Sequence, residues 1–369
     1  MKNDFKNVKR LVIKIGSSLL VEDKKLREKW LGALMKDVGE LLSQGVEIVV
    51  VSSGAIALGK IILKKDKLST IAQKQAAAAL GQIQLMSKYR DAAKKFDFNV
   101  AQILLTSSDC NERERYNNLQ NVFGELLKNK IVPIINENDS VAIDEIKIGD
   151  NDRLAARVAQ MISADLLVLF SDIDGLYDKN PKVFSDAKLI GEVKKITKDV
   201  EEMAGGAVSS VGTGGMITKI TAAKMASLSG LEAVITSGLN DNCLTKLFLD
   251  KQNYTIFRSD KNAVKSRKKW LSGFLNAKGE VVVNECAKTA LLEKNVSLLP
   301  IGIVKINGNF KKNELIFIKD ESGNHIANGI ANYDSVQAQK VLGKNSVDVK
   351  KLLGVDKTEL VHIDNLVMI

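Results

Sequence analysis

A chain of 369 residues is long enough for two domains and a sizeable core, so neither disulfides nor a structural metal is needed to hold it together. Hydrophobic and charged fractions of 45% and 27% are those of an ordinary globular protein, and apolar runs as short as Leu166 to Phe170 exclude a transmembrane segment. Three well-separated cysteines (Cys110, Cys243, Cys286) without a C-x-x-C pair exclude a disulfide framework and a thiolate zinc site. Together with an opening MKNDFKNVKR that lacks a signal peptide's apolar stretch, they point to the reducing cytoplasm.

The net charge of +10 invites a nucleic-acid reading, but its distribution weakens that reading. Arg258 to Trp270 holds six basic residues against one Asp, whereas residues 278–369 carry twelve Lys, no Arg and eleven Asp or Glu. About half the excess therefore sits in one short basic stretch, which reads as a solvated connector.

Along the chain, compact apolar runs predict strands at LVIKI (11–15), EIVVV (47–51), VAQILL (100–105), IVPII (131–135), DLLVLF (165–170) and EAVIT (232–236). Between them, Trp30, Leu34, Val38 and Leu41 repeat at helical spacing before Gly45, and Leu119, Val122, Phe123, Leu126 and Leu127 mark a face of another helix. Alternating strands and helices imply parallel βαβ units. The continuous Val/Ile/Leu character of the strands implies burial on both faces, so the expected fold is a three-layer αβα sandwich around an open, mainly parallel sheet. After about residue 277 the texture changes to short β-rich pieces between Gly and Asn turns. The expected organisation is an α/β catalytic domain over 1–257, a basic linker over 258–277, a small β-rich domain over 278–356 and a strand-like tail over 357–369.

In open α/β sheets ligands bind beyond the carboxyl ends of the strands, where loops converge and helices begin. Those ends carry Gly16-Ser17-Ser18, Ser52-Ser53-Gly54-Ala55, Thr106-Ser107-Ser108-Asp109, Asn136-Glu137-Asn138-Asp139 and Ser171-Asp172. Any one such loop could merely turn the chain or cap a helix; five together predict a wide polar site that accepts anions. Neither of the first two loops matches a P-loop or a Rossmann fingerprint. Lys14 interrupts an apolar strand, and a buried ammonium needs a partner, either a ligand anion or a carboxylate. Gly212 to Lys219 precedes a helical pattern and could cradle polyphosphate, with Lys219 as a point charge. Lys147 to Arg153 places two carboxylates and an amide ahead of another helix, where capping accounts for one of the three. Both histidines, His325 and His362, lie in the C-terminal part, so no Ser-His-Asp or Cys-His centre is supported in the α/β domain. Phosphoryl transfer by positioning and electrostatics remains, and a carboxylate acceptor would need no general base.

The runs VIKIGSSLL, IVVVSSGAIALG, PIINENDSV, IKIGDNDRLAA, FSDIDGLYDKNP and GTGGMITKITAA stand in the order and approximate spacing of the amino acid kinase family. IINEND, GDND and GTGGM-x-T-K together resemble the branch that acts on glutamate, and the C-terminal β region resembles a PUA domain. The resemblance implies ATP-dependent, Mg2+-dependent phosphorylation of the glutamate side-chain carboxylate to glutamyl 5-phosphate, the first step of proline biosynthesis. By the same resemblance, Lys14 and Lys219 would stabilise the transferring phosphoryl group, and Asp152 would hold the lysines. Ser53, Asp139, Asp150 and Asn151 would bind glutamate, with Gly54 and Ala55 lining its site. Lys14, Ser171, Asp172 and the segment Thr213, Gly214, Gly215, Met216, Ile217, Thr218 and Lys219 would bind ATP, and no side chain is assigned as a metal ligand. Ser171 stands where the family often has Thr, which keeps a hydroxyl. The family also implies a homo-oligomer and feedback inhibition by proline. PUA-like domains occur in RNA-modifying enzymes as well, but near-zero charge and the lack of Arg count against a nucleic-acid partner here.

Overall fold

All six predicted apolar runs become strands of one eight-stranded sheet: β1 (Arg10–Ile15), β2 (Glu47–Ser52), β3 (Val100–Leu105), β4 (Val132–Glu137), β5 (Leu166–Ser171) and, after a two-residue β6 (Glu192–Val193), β7 (Glu232–Ser237), followed by β8 (Tyr254–Phe257). The computed structural model describes residues 5–141, 151–204, 215–259 and 277–369, apart from 295, 313, 356 and 357. Asp150, Thr213, Gly214 and most of the basic linker lie outside the described residues. Two compact units, Met1–Lys261 and Asn262–Ile369, make up the chain.

The sheet order is β6-β8-β7-β5-β1-β2-β4-β3. Neighbours from β7 through β3 are parallel, β8 runs antiparallel to β7, and β6 is parallel to β8. The sequence patterns miss these last two strands for a physical reason: two to four residues are too few to display a period, and an antiparallel return needs no crossover helix. Strands β1, β2 and β5 are buried along nearly their whole length, as their uninterrupted apolar character requires.

Helices α1 (Glu28–Ser43), α2 (Ala55–Ile62), α3 (Ile71–Lys94), α4 (Arg113–Lys128), α5 (Asn151–Met161) and α6 (Met216–Leu228) supply the outer layers. One core gathers Trp30, Leu34 and Val38 of α1 and Leu85 and Tyr89 of α3 over Ile13, Ile15, Ile48, Val50 and Val168. Strand side chains alternate between faces, so Lys14 points away from this core, toward α5, whose Asp152 it meets. Strand β1 lies between β2 and β5: the chain runs outward from β1 through β2 to β3 and β4, then crosses to β5 on the other flank. That reversal puts the ligand crevice at the carboxyl ends of β1, β2 and β5.

Helices α2 and α3 touch almost backbone to backbone. A Cβ at Gly59 would lie 1.8 Å from the Ala77 carbonyl oxygen, and one at Gly81 would lie 1.8 Å from that of Ala55. Glycine at 81 therefore decides how closely α3 approaches the first turn of α2, just beyond the end of β2.

The second unit has its own sheet, with β9 (Gly279–Val283), β10 (Ile303–Gly308), β11 (Leu315–Asp320), β12 (His325–Ile330) and β13 (Leu366–Met368) in the order β10-β9-β11-β12-β13. Only β9 and β11 are parallel. Its separate core holds Val281, Ile316, Ile318, Phe310 and Tyr333. Strand β13, within the stretch read as a tail, is hydrogen-bonded to β12, and Val361 bridges to Leu298. Cys110 and Cys243 are buried thiols and Cys286 an exposed one. Among the described residues no helix is long and apolar enough to cross a membrane.

The contact at Gly81 yields a stability prediction. Gly81→Val must displace α3 from α2, and the expected cost is about 3 kcal/mol, at the upper end of overpacking effects. Urea unfolding followed by circular dichroism should show a lower midpoint for the variant; an unchanged midpoint would refute the close contact.

Candidate active site

Lys14 sits on the central strand with only 6% of its surface exposed, and its partner is the carboxylate alternative foreseen from sequence. Its Nζ lies 2.6 Å from Asp152 Oδ1, while Lys219 Nζ lies 3.9 Å from Asp152 Oδ2 and the Thr218 hydroxyl donates to the same oxygen at 2.6 Å. Asp152 is 1% exposed and occupies the second position of α5, where a carboxylate also meets the positive end of the helix. Burial pushes its carboxyl toward a higher pKa. The charges of Lys14 and Lys219 and the hydrogen bonds from Lys14 and Thr218 outweigh that and hold it below the ordinary carboxylate range. Two buried ammonium groups thus face one buried carboxylate at the carboxyl end of the central strand, where the low dielectric strengthens both attractions.

The acceptor side of the crevice is built from amides and hydroxyls. Strand β2 ends at Ser52, and Gly54 takes φ +104°, the left-handed region that lets the chain turn sharply into α2. Asn151, the first residue of α5, is 8% exposed. Its Nδ2 donates to Ser53 Oγ at 2.8 Å, Asn136 Oδ1 at 2.9 Å and the Ser52 carbonyl at 3.2 Å. Asn136 Nδ2 in turn donates to Gln82 Oε1 of α3 at 2.9 Å. The buried Tyr89 hydroxyl lies 2.9 Å from Ser52 Oγ, and burial raises its pKa well above the ordinary tyrosine value. Asp139 lies two residues past β4, and its burial lifts its pKa to about 6.

On the other flank, β5 ends in Ser171, 5% exposed, whose hydroxyl donates to Asp172 Oδ1 at 3.2 Å. Partial burial of Asp172 acts to raise its pKa, but the Lys182 ammonium, 3.0 Å away, and the hydrogen bonds around it hold the carboxyl below the usual range. Helix α6 starts at Met216, with Gly215 as a cap that offers no side-chain hydrogen bond to the first-turn amides. Met216 and Ile217 form the start of that turn, and Lys219 points from it into the buried cluster.

The structure thus joins Lys14, Asp152, Thr218 and Lys219 in one cluster and Ser53 and Asn151 in another, linked because Asn151 and Asp152 are consecutive. Asp139, Ser171, Asp172, Gly54 and Ala55 lie at the same sheet end, on their own loops. The loop after β3, at the same sheet end, caps its own helix. Thr106 and Asp109 form a reciprocal capping box, and Asp109 pairs with Arg115, so the capping role weighed from sequence is the observed one. Asn136 was foreseen only as part of a polar loop at a strand end, and Gln82 and Tyr89 were not foreseen as site residues. A glutamine in the alanine-rich run AAAALGQ, on a helix without chemistry of its own, carries no signal until the fold brings it to β4.

A model of the amino acid kinase family matches residues 9–237, and one of the PUA domain matches residues 279–353. The chain belongs to the amino acid kinase family. It is 44% identical to glutamate 5-kinase of Pelagibacter ubique over 98% of this chain and 99% of that one, and 43% identical to glutamate 5-kinase of Nitrobacter winogradskyi over 99% and 97%. It is 41% identical to glutamate 5-kinase of Geobacter sulfurreducens over 98% of each chain. Among solved structures, carbamate kinase from Giardia lamblia bound to AMP-PNP is similar with a TM-score of 0.49 and 14% identity, over 69% of this chain and 99% of that one.

Removing the shared carboxylate takes a buried negative charge away from both Lys14 and Lys219. Asp152→Asn is expected to cost about 3–5 kcal/mol of stability. Chemical denaturation at pH 7.5 would measure it; a variant as stable as the parent would contradict the buried cluster.

Proposed function

We propose that the protein is a glutamate 5-kinase, transferring the γ-phosphoryl group of ATP to the side-chain carboxylate of L-glutamate to give glutamyl 5-phosphate, the first step of proline biosynthesis. The observation that carries this reading is the Lys14–Asp152–Lys219 cluster at the carboxyl end of the central strand, beside the amide and hydroxyl network of Asn151, Ser53 and Asn136. In the transfer, a glutamate carboxylate oxygen attacks the γ-phosphorus as the bond to the β-phosphate oxygen breaks, and ADP leaves with that electron pair. The acceptor is ionised near neutral pH, so no general base is needed. What the chain supplies is positioning and charge: Lys14 and Lys219 meet the negative oxygens of the phosphoryl group in flight, and Asp152, with Thr218, fixes both ammonium groups.

Ser53, Asn151 and Asp139 hold glutamate, with Gly54 and Ala55 at the start of α2 forming its wall. Asp150 joins this set by its place in GDND. Ser171, Asp172 and the Thr213 to Lys219 segment hold the nucleotide, with the first amides of α6 directed at phosphate oxygens. Among the described residues no group of three Asp, Glu, His or Cys side chains is arranged to hold a metal ion. Both Asp152 oxygens already face cations or a hydroxyl. Mg2+ would enter on the oxygens of the polyphosphate itself, where it neutralises charge.

The reaction is tested by incubating the purified protein with Mg-ATP, glutamate and hydroxylamine, which traps the acyl phosphate as glutamyl hydroxamate. Lys14→Ala or Lys219→Ala should each lower kcat by about a hundredfold or more, the scale of losing one preorganised charge contact. Near-normal turnover in either variant would remove that lysine from the mechanism.

Asp139 gives a pH-dependent test. Its folded pKa of about 6 lies above its unfolded value, so between the two the folded state binds more protons, and stability falls as pH rises through that window. Asp139→Asn should raise Tm at pH 8 and leave it nearly unchanged at pH 4. An ionised Asp139 would receive the ammonium of glutamate, so KM for glutamate should rise as pH drops through about 6 in the parent and stay flat there in Asp139→Asn. The same inflection in both proteins would dissociate Asp139 from glutamate binding.

A further inference from the structure

Four polar groups at the end of β4 form a relay whose direction is fixed by chemistry. The backbone N–H of Glu137 can only donate, and it donates to Asn136 Oδ1 at 2.9 Å. That places the carbonyl end of the Asn136 amide toward β4, so the atom of Asn151 that meets the same oxygen, at 2.9 Å, must be the donor Nδ2. The Ser52 carbonyl, which can only accept, imposes the same orientation on Asn151 from the other side at 3.2 Å. The remaining end of Asn136, its Nδ2, then needs an acceptor, and Gln82 Oε1 supplies it at 2.9 Å. Asn136 is 3% exposed, and Gln82 and Asn151 are each 8% exposed, so water does not substitute freely for any of these bonds.

The consequence lies at the far end. Every N–H of the Asn151 amide is spent on Ser52, Ser53 and Asn136, and Asn151 Oδ1, buried, has no hydrogen-bond partner among the described residues. A buried carbonyl oxygen without a donor is costly unless a ligand brings one. Of the charged groups on glutamate, the two carboxylates can only accept, and the α-ammonium donates.

We propose that Gln82 is a positioning residue for the amino acid: through Asn136 it locks Asn151 with Oδ1 presented as an acceptor, and that oxygen receives the substrate's α-ammonium. This rests on the glutamate kinase reading and deepens it. Gln82 reaches its place because Gly81 lets α3 approach Ala55 at backbone distance. Without the Gln82 acceptor, Asn136 Nδ2 is left buried and unpaired. The Asn136 amide is then held by the Glu137 N–H alone, and the brace it gives Asn151 beside the Ser52 carbonyl weakens.

The test compares Gln82→Met, which keeps the shape and removes the acceptor, with Gln82→Glu, which keeps an acceptor oxygen at the same reach. Gln82→Met should raise KM for glutamate about tenfold while KM for ATP stays within about twofold and kcat within about threefold of the parent. Gln82→Glu should bring KM for glutamate back to within about threefold. A merely structural role would lower the active fraction, and hence kcat, without separating the two KM values. Glutarate, which carries both carboxylates and no ammonium, serves as a competitive inhibitor; its Ki should be the same against the parent and Gln82→Met. Unchanged glutamate KM in Gln82→Met, equal damage from both variants, or parallel weakening of glutarate would each overturn the relay while leaving the kinase reading in place. If the parent protein forms no glutamyl hydroxamate, it is the reaction that fails, and the assignment of the ammonium fails with it.

Discussion

The buried pairing of Lys14 with Asp152 is the constraint from which the rest of the site follows. An ammonium in the middle of an apolar central strand is tolerable only beside a negative charge, and the one it meets is carried on the first turn of α5. Satisfying that pair fixes where α5 begins relative to β1. Because α6 packs against α5 and sends Lys219 to the same carboxylate, the start of α6 is fixed as well. A single carboxylate therefore sets the position of two helix N-termini and two cations. Both cations are thereby held at the carboxyl end of the central strand.

Asn151 and Asp152 divide the work between adjacent residues. Asp152 faces the lysines, whereas Asn151 faces the amide network reaching from Ser53 through Asn136 to Gln82. The amide network and the charge cluster are thus held in register by one peptide unit at the start of a helix. A donor and an acceptor that must meet in line gain most of their advantage from such fixed geometry. Asp139 shows the opposite side of the same arrangement: its burial disfavours the charged form, so stability falls as pH rises toward about 6.

The two units meet different demands. The α/β unit contains every described residue assigned to chemistry, on loops at one end of its sheet, supported by a core that spans α1, α3 and the central strands. The second unit closes its own core with β13, the last strand of the chain, paired to β12. Both histidines lie in this unit, and His325 is engaged within it: it stacks on Phe317 and meets Asn328, and its burial lowers its pKa.

The sequence by itself determined the six main strands, their parallel pairing, the sheet end at which ligands must bind and most of the polar residues found there, because apolar runs and turn chemistry are local properties of the chain. It also exposed Lys14 as a residue in need of a partner. Between the ligand anion and the carboxylate that the strand pattern left open for Lys14, tertiary structure decided for the carboxylate of Asp152, which the family resemblance had named; it alone showed that Thr106 and Asp109 form a helix cap and that β6 and β8 complete the sheet. Gln82 illustrates the limit best. Its helix carries no motif, and its role exists only because Gly81 allows α3 to settle against α2 and deliver an acceptor to Asn136, 54 residues away in the chain. Contacts between residues so far apart are set by packing and by the need to pair every buried polar group, and neither can be read from local pattern.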